Sequence, residues 1–170
     1  MADGWKVVHM KIVITAPFAA QQVEELKGQH EVLFSPQDDS TPLRSEEQLH
    51  SLLAEERAEI FITESDRVTA QVLEGLDDLK LLCVCRTGLN NIDIPACTDH
   101  GVALVNAPGR NAAAVADMVM ALFIDMSRFL FEGEKLLRSG QWDEGIYYRL
   151  RGHELYGNTV ATIGFGAIPQ

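Results

Sequence analysis

The sequence predicts an α/β protein: a flavodoxin-like doubly wound parallel sheet, then a long helix, then the opening of a second α/β unit. Three observations carry this reading. Short apolar, β-branched runs recur at roughly even spacing between residues 11 and 105. Helical patterns separate them, as right-handed strand–helix–strand crossovers require. Near the carboxyl end, an apolar run at 159–163 leads into Gly164-Phe165-Gly166, a strand-to-glycine turn.

The elements follow in order. Residues 11–16 read as a buried strand and 21–27 as a short helix ended near Gly28. Residues 31–35 form the second strand, and 36–42 a turn-rich loop. Ser45 then caps a helix reaching about residue 57, with Gln48 at capping-box distance. Strand three is 59–63, a helix covers 69–76, and strand four is 79–85. Residues 86–93 form a loop containing glycine and asparagine. A helix at 95–100 stops at Gly101, and strand five is 102–105. Pro108-Gly109 ends this first domain, residues 10–107. Asn111 caps the long helix 111–131. Residues 133–157 are polar and aromatic, punctuated by Gly140, Gly145, Gly152 and Gly157, and predict an irregular arm. Residues 159–163 predict the first strand of the second unit.

Composition narrows the function classes. The 170 residues carry a net charge of −11, and Lys and Arg nowhere cluster, which argues against a nucleic-acid partner. The longest apolar stretch, 112–131, contains Asp117, Asp125 and Arg128, which a bilayer centre would resist. It predicts a mostly buried helix with one wet stripe, not a membrane span. Three cysteines and no apolar leader predict a cytoplasmic protein. Cys83 and Cys85 share one face of a strand and predict buried free thiols. No group of ligands at metal spacing is evident.

In a parallel sheet, ligands sit beyond the carboxyl ends of the strands. The loop after strand one, Ala16-Pro17-Phe18, lacks the Ser/Thr-Gly run that holds a flavin phosphate. After strand three comes Thr63-Glu64-Ser65-Asp66-Arg67, and after strand five Asn106-Ala107-Pro108-Gly109-Arg110-Asn111. The loop after strand four, Arg86-Thr87-Gly88-Leu89-Asn90-Asn91, best suits a carboxylate. Arg86 supplies charge, Gly88 permits close backbone approach, and nearby N–H groups can face an anion. Gly164-x-Gly166 after a strand is the turn that lets a pyrophosphate approach backbone at a helix N-terminus.

These motifs together resemble a family. The run 79–93, with Cys85-Arg86-Thr87-Gly88-Leu89-Asn90-Asn91-Ile92-Asp93, resembles the carboxylate loop of NAD-dependent D-isomer-specific 2-hydroxyacid dehydrogenases, closest to the phosphoglycerate dehydrogenase-like branch. The run 101–117, with Asn106-Ala107-Pro108-Gly109-Arg110-Asn111, resembles the segment that follows it there. Gly140-Gln141-Trp142 resembles the family's Gly-x-Trp, and the run 152–168 resembles its entry into the cofactor domain. The resemblance spans 79–168 closely and 10–78 mainly in pattern.

The resemblance implies a substrate-binding domain at 10–107. It implies that 108–170 begin a Rossmann NAD-binding domain that is incomplete here. Arg86, Thr87, Gly88 and Asn111 would then lie near the substrate acid. Gly164, Gly166, Ala167 and Ile168 would touch NAD, with NADP left open by the residues present. Helix 111–131 and arm 133–157 would build a homodimer. The catalytic arginine, acid and histidine are expected downstream of Gln170, which would leave this chain inactive by itself. The implied substrate is a small 2-hydroxy or 2-keto acid. Three departures qualify it: the carboxylate loop is about two residues shorter, Thr63-Glu64 stand where phosphoglycerate enzymes tend to carry Arg-Ser, and Pro169 replaces the third glycine. The competing class is a non-catalytic α/β dimerisation or binding fragment. A receiver module would need paired acids after strand one and a lysine after strand five; Thr15-Ala16-Pro17 and Asn106-Ala107 stand there instead.

Overall fold

A computed structural model describes residues 8–37 and 42–170. The loop expected at 36–42 falls partly outside these residues. The chain divides into two compact units, residues 1–108 and 109–170.

The first unit is built on five strands: β1 (Lys11–Ile14), β2 (Glu31–Phe34), β3 (Ile60–Thr63), β4 (Leu81–Val84) and β5 (Ala103–Asn106). All neighbours pair parallel, in the order β2-β1-β3-β4-β5. This is the flavodoxin-like order, whose direction of winding reverses between β1 and β3. Four helices connect the strands: α1 (Ala20–Lys27), α2 (Glu46–Glu55), α3 (Ala70–Leu73) and α4 (Ile94–Asp99).

Strand residues feed two faces because side chains alternate. Val13, Phe61, Leu82 and Val84 pack with Leu49 and Leu53 of α2, Val72 and Leu73 of α3, and Ala96 and Cys97 of α4. Ile12 and Ile14 face the other way, against Leu26 of α1, Val32 and Phe34. On that second face Ile60, Ile62, Leu81 and Cys83 stay half-buried, since α1 is the helix this unit places there. The Ser45 capping box is present: Gln48 N–H donates to Ser45 Oγ at 3.2 Å, and Ser45 N–H to Gln48 Oε1 at 2.9 Å. Asp93, read in the sequence as loop, caps α4 by accepting from Ala96 N–H at 3.0 Å.

The second unit departs further from expectation. Its long helix, α5, is Ala112–Arg128 and stops three residues early. Phe129 takes a left-handed conformation, φ 55°, and α6 (Leu130–Arg138) begins at once. The reason lies in residues 152–153. His153 N–H donates to the Ser127 carbonyl at 2.9 Å, an acceptor that a continuing helix would need, and Gly152 packs on the Ser127–Arg128 backbone. The arm expected to be irregular therefore holds most of α6 and all of α7 (Glu144–Arg149). Residues 159–163 form no strand and are exposed throughout. A parallel strand needs a neighbour to take its backbone groups, and none pairs with this segment.

Candidate functional site

The carboxyl ends of β3, β4 and β5 present three loops at one edge of the first unit, bound to each other by backbone and side chain. Cys85 N–H donates to Thr63 O at 2.8 Å. Ala107 N–H donates to Arg86 O at 3.2 Å, and Asn106 Nδ2 to Thr87 O at 2.8 Å. Thr87 Oγ1 returns a bond to Ala107 O at 3.3 Å. The far end of the strand-four loop is held from β3's side. Val68 N–H donates to Asn91 O at 2.9 Å, and Asp93 N–H donates to Val68 O at 2.8 Å. Asn91 Nδ2 also donates to Asp66 O, at 2.7 Å. Both ends of residues 86–90 are therefore pinned.

Within that loop Arg86 and three amides keep open donors. Among the described residues, the Arg86 guanidinium makes no hydrogen bond or ion pair, and the backbone N–H groups of Gly88, Leu89 and Asn90 donate to no protein acceptor. Arg67, on the β3 loop, is engaged by Glu46 at 3.4 Å. A half-buried arginine two residues before a run of open amides is a donor set suited to an anion, above all the planar carboxylate of a small acid.

The sequence-predicted residues divide between the two units. Arg86, Thr87 and Gly88 are contiguous on the β4 loop. Thr87's hydroxyl is engaged by the neighbouring loop and its carbonyl accepts from Asn106, so side chain and backbone together keep the loop in place. Gly88 does not have the left-handed backbone that demands glycine, and a Cβ there meets nothing nearer than Asn90 Oδ1 at 3.6 Å. The space above Gly88 is open. Asn111 stands at the N-cap of α5, but its side chain makes no capping bond.

Gly164 has φ 93°, a conformation glycine favours. As they stand, however, residues 159–170 do not fit a pyrophosphate. No strand leads into Gly164 among the described residues. Ala167 and Ile168 lie exposed in the same segment. No group of His, Cys, Asp or Glu able to hold a metal occurs among the described residues. No helix among them is long and apolar enough to cross a membrane. Burial pushes the thiols of Cys83 and Cys97 up, leaving both poor nucleophiles.

One site residue went unseen in the sequence. Asp66 is only 2% exposed, and its Oδ2 accepts from Thr15 Oγ1 at 2.5 Å and Thr63 Oγ1 at 2.6 Å. The signal was the Thr63–Asp66 spacing: a short acid three residues past the last residue of a buried strand, where side chain and turn backbone can bond locally.

Fold and rim together define a doubly wound α/β domain with an anion-suited loop at its carboxyl edge. A family described as D-isomer specific 2-hydroxyacid dehydrogenase, catalytic domain, matches residues 12–164, and the chain belongs to that family. It is 32% identical over 162 residues to a D-3-phosphoglycerate dehydrogenase of Methanocaldococcus jannaschii, covering 95% of this chain and 29% of that one. It is 30% identical over 159 residues to a glyoxylate reductase of Thermofilum pendens, covering 93% and 46%. Among solved structures, it is similar to the NAD+-bound 3-phosphoglycerate dehydrogenase of Entamoeba histolytica, with TM-score 0.58 and 26% identity, covering 71% of this chain and 40% of that one. The chain spans less than half the length of the curated relatives it matches.

Proposed function

We propose that this chain forms the acid-binding part of an oxidoreductase that moves hydride between NAD and a small 2-hydroxy or 2-keto acid. The carrying observation is the rim loop, where Arg86's guanidinium and the amides of 88–90 have no partners among the described residues while both loop ends are pinned. Arg86 and the loop amides hold the substrate carboxylate, Gly88 leaves room for it, and Thr87 fixes the loop. Asn111 is a further substrate residue, its carboxamide not being used as a cap.

The first unit is then the substrate domain, and residues 109–170 begin the cofactor domain. Gly164, Gly166, Ala167 and Ile168 meet the pyrophosphate once a paired strand and a following helix flank them. NAD is favoured by family membership and by the NAD+-bound relative; NADP is left open. When bound, the nicotinamide would give or take the hydride, and the groups that move the proton come from outside these 170 residues. The chain alone is inactive. Glu64, on the loop beside Arg86, disfavours a second anion on the substrate, so acids without phosphate fit better than 3-phosphoglycerate. A second copy pairs through α5 and the arm 133–157.

The test is a titration of the 170-residue chain with glycolate, read as protection of residues 86–91 from hydrogen exchange. Arg86→Ala is expected to weaken binding about tenfold, consistent with a charge-assisted hydrogen bond worth roughly 1.5–3 kcal/mol. Equal affinity in the variant would mean that Arg86 merely faces solvent. With NADH and glyoxylate the chain is expected to show no turnover; turnover sensitive to Arg86→Ala would show that the chain carries its own catalytic groups.

A further inference from the structure

The winding of the sheet reverses between β1 and β3, where such folds open a crevice for ligands. Here Asp66 fills it. Its Oδ2 ties together Thr15, just past β1, and Thr63, the last residue of β3; both threonines are buried. Its own N–H donates back to Thr63 Oγ1 at 3.2 Å. The other carboxylate oxygen, Oδ1, is buried and has no hydrogen-bond partner among the described residues.

A buried carboxylate with one oxygen unmatched is a poor way to stabilise a core, and an apolar side chain would serve stability better. Local features that oppose stability tend to mark functional positions. What Asp66 holds is specific. Its carbonyl accepts from Asn91 Nδ2, and the segment two residues on brackets Asn91 and Asp93 through Val68. Asn91 closes the loop that carries Arg86 and the free amides. The path from the crevice to the acid-binding donors is thus four residues long: Thr15 and Thr63, Asp66, then Asn91.

We propose that Asp66 is a positioning residue for acid binding: it clamps the ends of β1 and β3 and, through Asn91, fixes the conformation in which residues 86–90 receive a carboxylate. This rests on the reading of that loop as the acid site. It touches no substrate itself. Its contribution is preorganisation, which lowers the cost of ordering a loop when ligand binds.

The experiment follows hydrogen exchange of the 170-residue chain by mass spectrometry, with and without glycolate. Segments 66–68 and 91–93 report the clamp, segments 60–63 and 81–84 report the core, and protection of 86–91 gives the apparent Kd. Asp66→Asn is expected to speed exchange in the clamp segments and raise the Kd at least fivefold, with core exchange within twofold of the parent. Asn91→Ala, which leaves Asp66 and the threonines untouched, is expected to raise the Kd similarly. In an Arg86→Ala background the effect of Asp66→Asn on the Kd should shrink, because residues acting through one loop do not add. If the core of Asp66→Asn exchanges as fast as its clamp, Asn91→Ala decides. A parent-like Kd in Asn91→Ala, or in an Asp66→Asn chain with a loosened clamp, overturns the assignment and leaves Asp66 a structural residue. If glycolate protects nothing in the parent chain while the clamp still depends on Asp66, the acid-site reading fails, and the positioning role falls with it.

Discussion

At the scale of single residues, Gly88 separates binding from folding more cleanly than Arg86 does. A Cβ at position 88 has room, its nearest neighbour being Asn90 Oδ1 at 3.6 Å, and the backbone there is not left-handed. Gly88→Ala should therefore leave thermal stability within about 0.5 kcal/mol of the parent, as for an unconstrained surface site. The same methyl group stands where the acid must approach the backbone, so glycolate affinity should fall by about tenfold, roughly 1.4 kcal/mol. Calorimetry and titration of one variant check both halves. A stable variant with undiminished affinity would move the acid site away from this loop. The sequence pointed to Gly88 because glycine permits close backbone approach, and the space above it is open. Asp66 shows the opposite lesson. Its residue type and position were visible, but its meaning depends on Thr15, 51 residues away in the chain, meeting it at the switch point.

At the scale of elements, the alternating strands and helices of the first unit were legible because local pattern and tertiary environment agree there. Each strand is flanked by others, and each helix buries an apolar side against them. Legibility failed where tertiary contacts override the local signal. Helix propensity continues past Arg128, yet α5 ends because Gly152 and His153 occupy the Ser127 carbonyl. A Cβ at residue 152 would collide with that carbonyl oxygen and reach the Arg128 Cα at 3.0 Å. Both are backbone atoms and cannot swing aside. Gly152→Ala should destabilise the second unit by about 1–3 kcal/mol or more, as overpacking does. Faster hydrogen exchange in residues 125–133, with the first unit's sheet unaffected, is the expected reading. The arm's α7 has its own pH signature. Asp143 accepts from Ile146 N–H at 3.2 Å, and Arg149 beside it holds its carboxyl below the usual aspartate range. A lowered carboxylate contributes above its unfolded pKa and loses that contribution as pH falls through the folded value. Near-ultraviolet dichroism from the edge-on Tyr147–Tyr148 pair, 5.3 Å apart on this helix, should hold steady down to about pH 4 and fade below it. A signal already fading at pH 6 would mean that Asp143 does not anchor α7.

At the scale of the whole molecule, the apolar surface of α5 and α6 dominates. Met118 (61% exposed), Met126 (71%) and Phe131 (67%) stand in water, joined by Met120, Leu122, Ile124 and Leu130. The periodicity of 112–131 predicted a mostly buried helix with one wet stripe; the helix forms, but within the chain Ser127 is its buried residue. Which partner covers the apolar residues was not legible, because the pattern records only that a side chain avoids water. Large apolar side chains contribute about 1.5–3 kcal/mol each when fully buried. Seven such residues could together supply a free energy comparable to the stability of a whole domain. Contiguous exposed apolar surface of this kind marks an association site. The chain is therefore expected to self-associate in a concentration-dependent way, through α5 and the helices that follow it. Sedimentation velocity of the purified chain should show a dimer or larger species at micromolar concentration. Met118→Glu together with Met126→Glu should shift it towards monomer, because both positions are exposed within the chain and a charge there is costly only inside an interface. A parent chain that sediments as a monomer and binds no apolar-surface dye would show that this face is satisfied without a second copy.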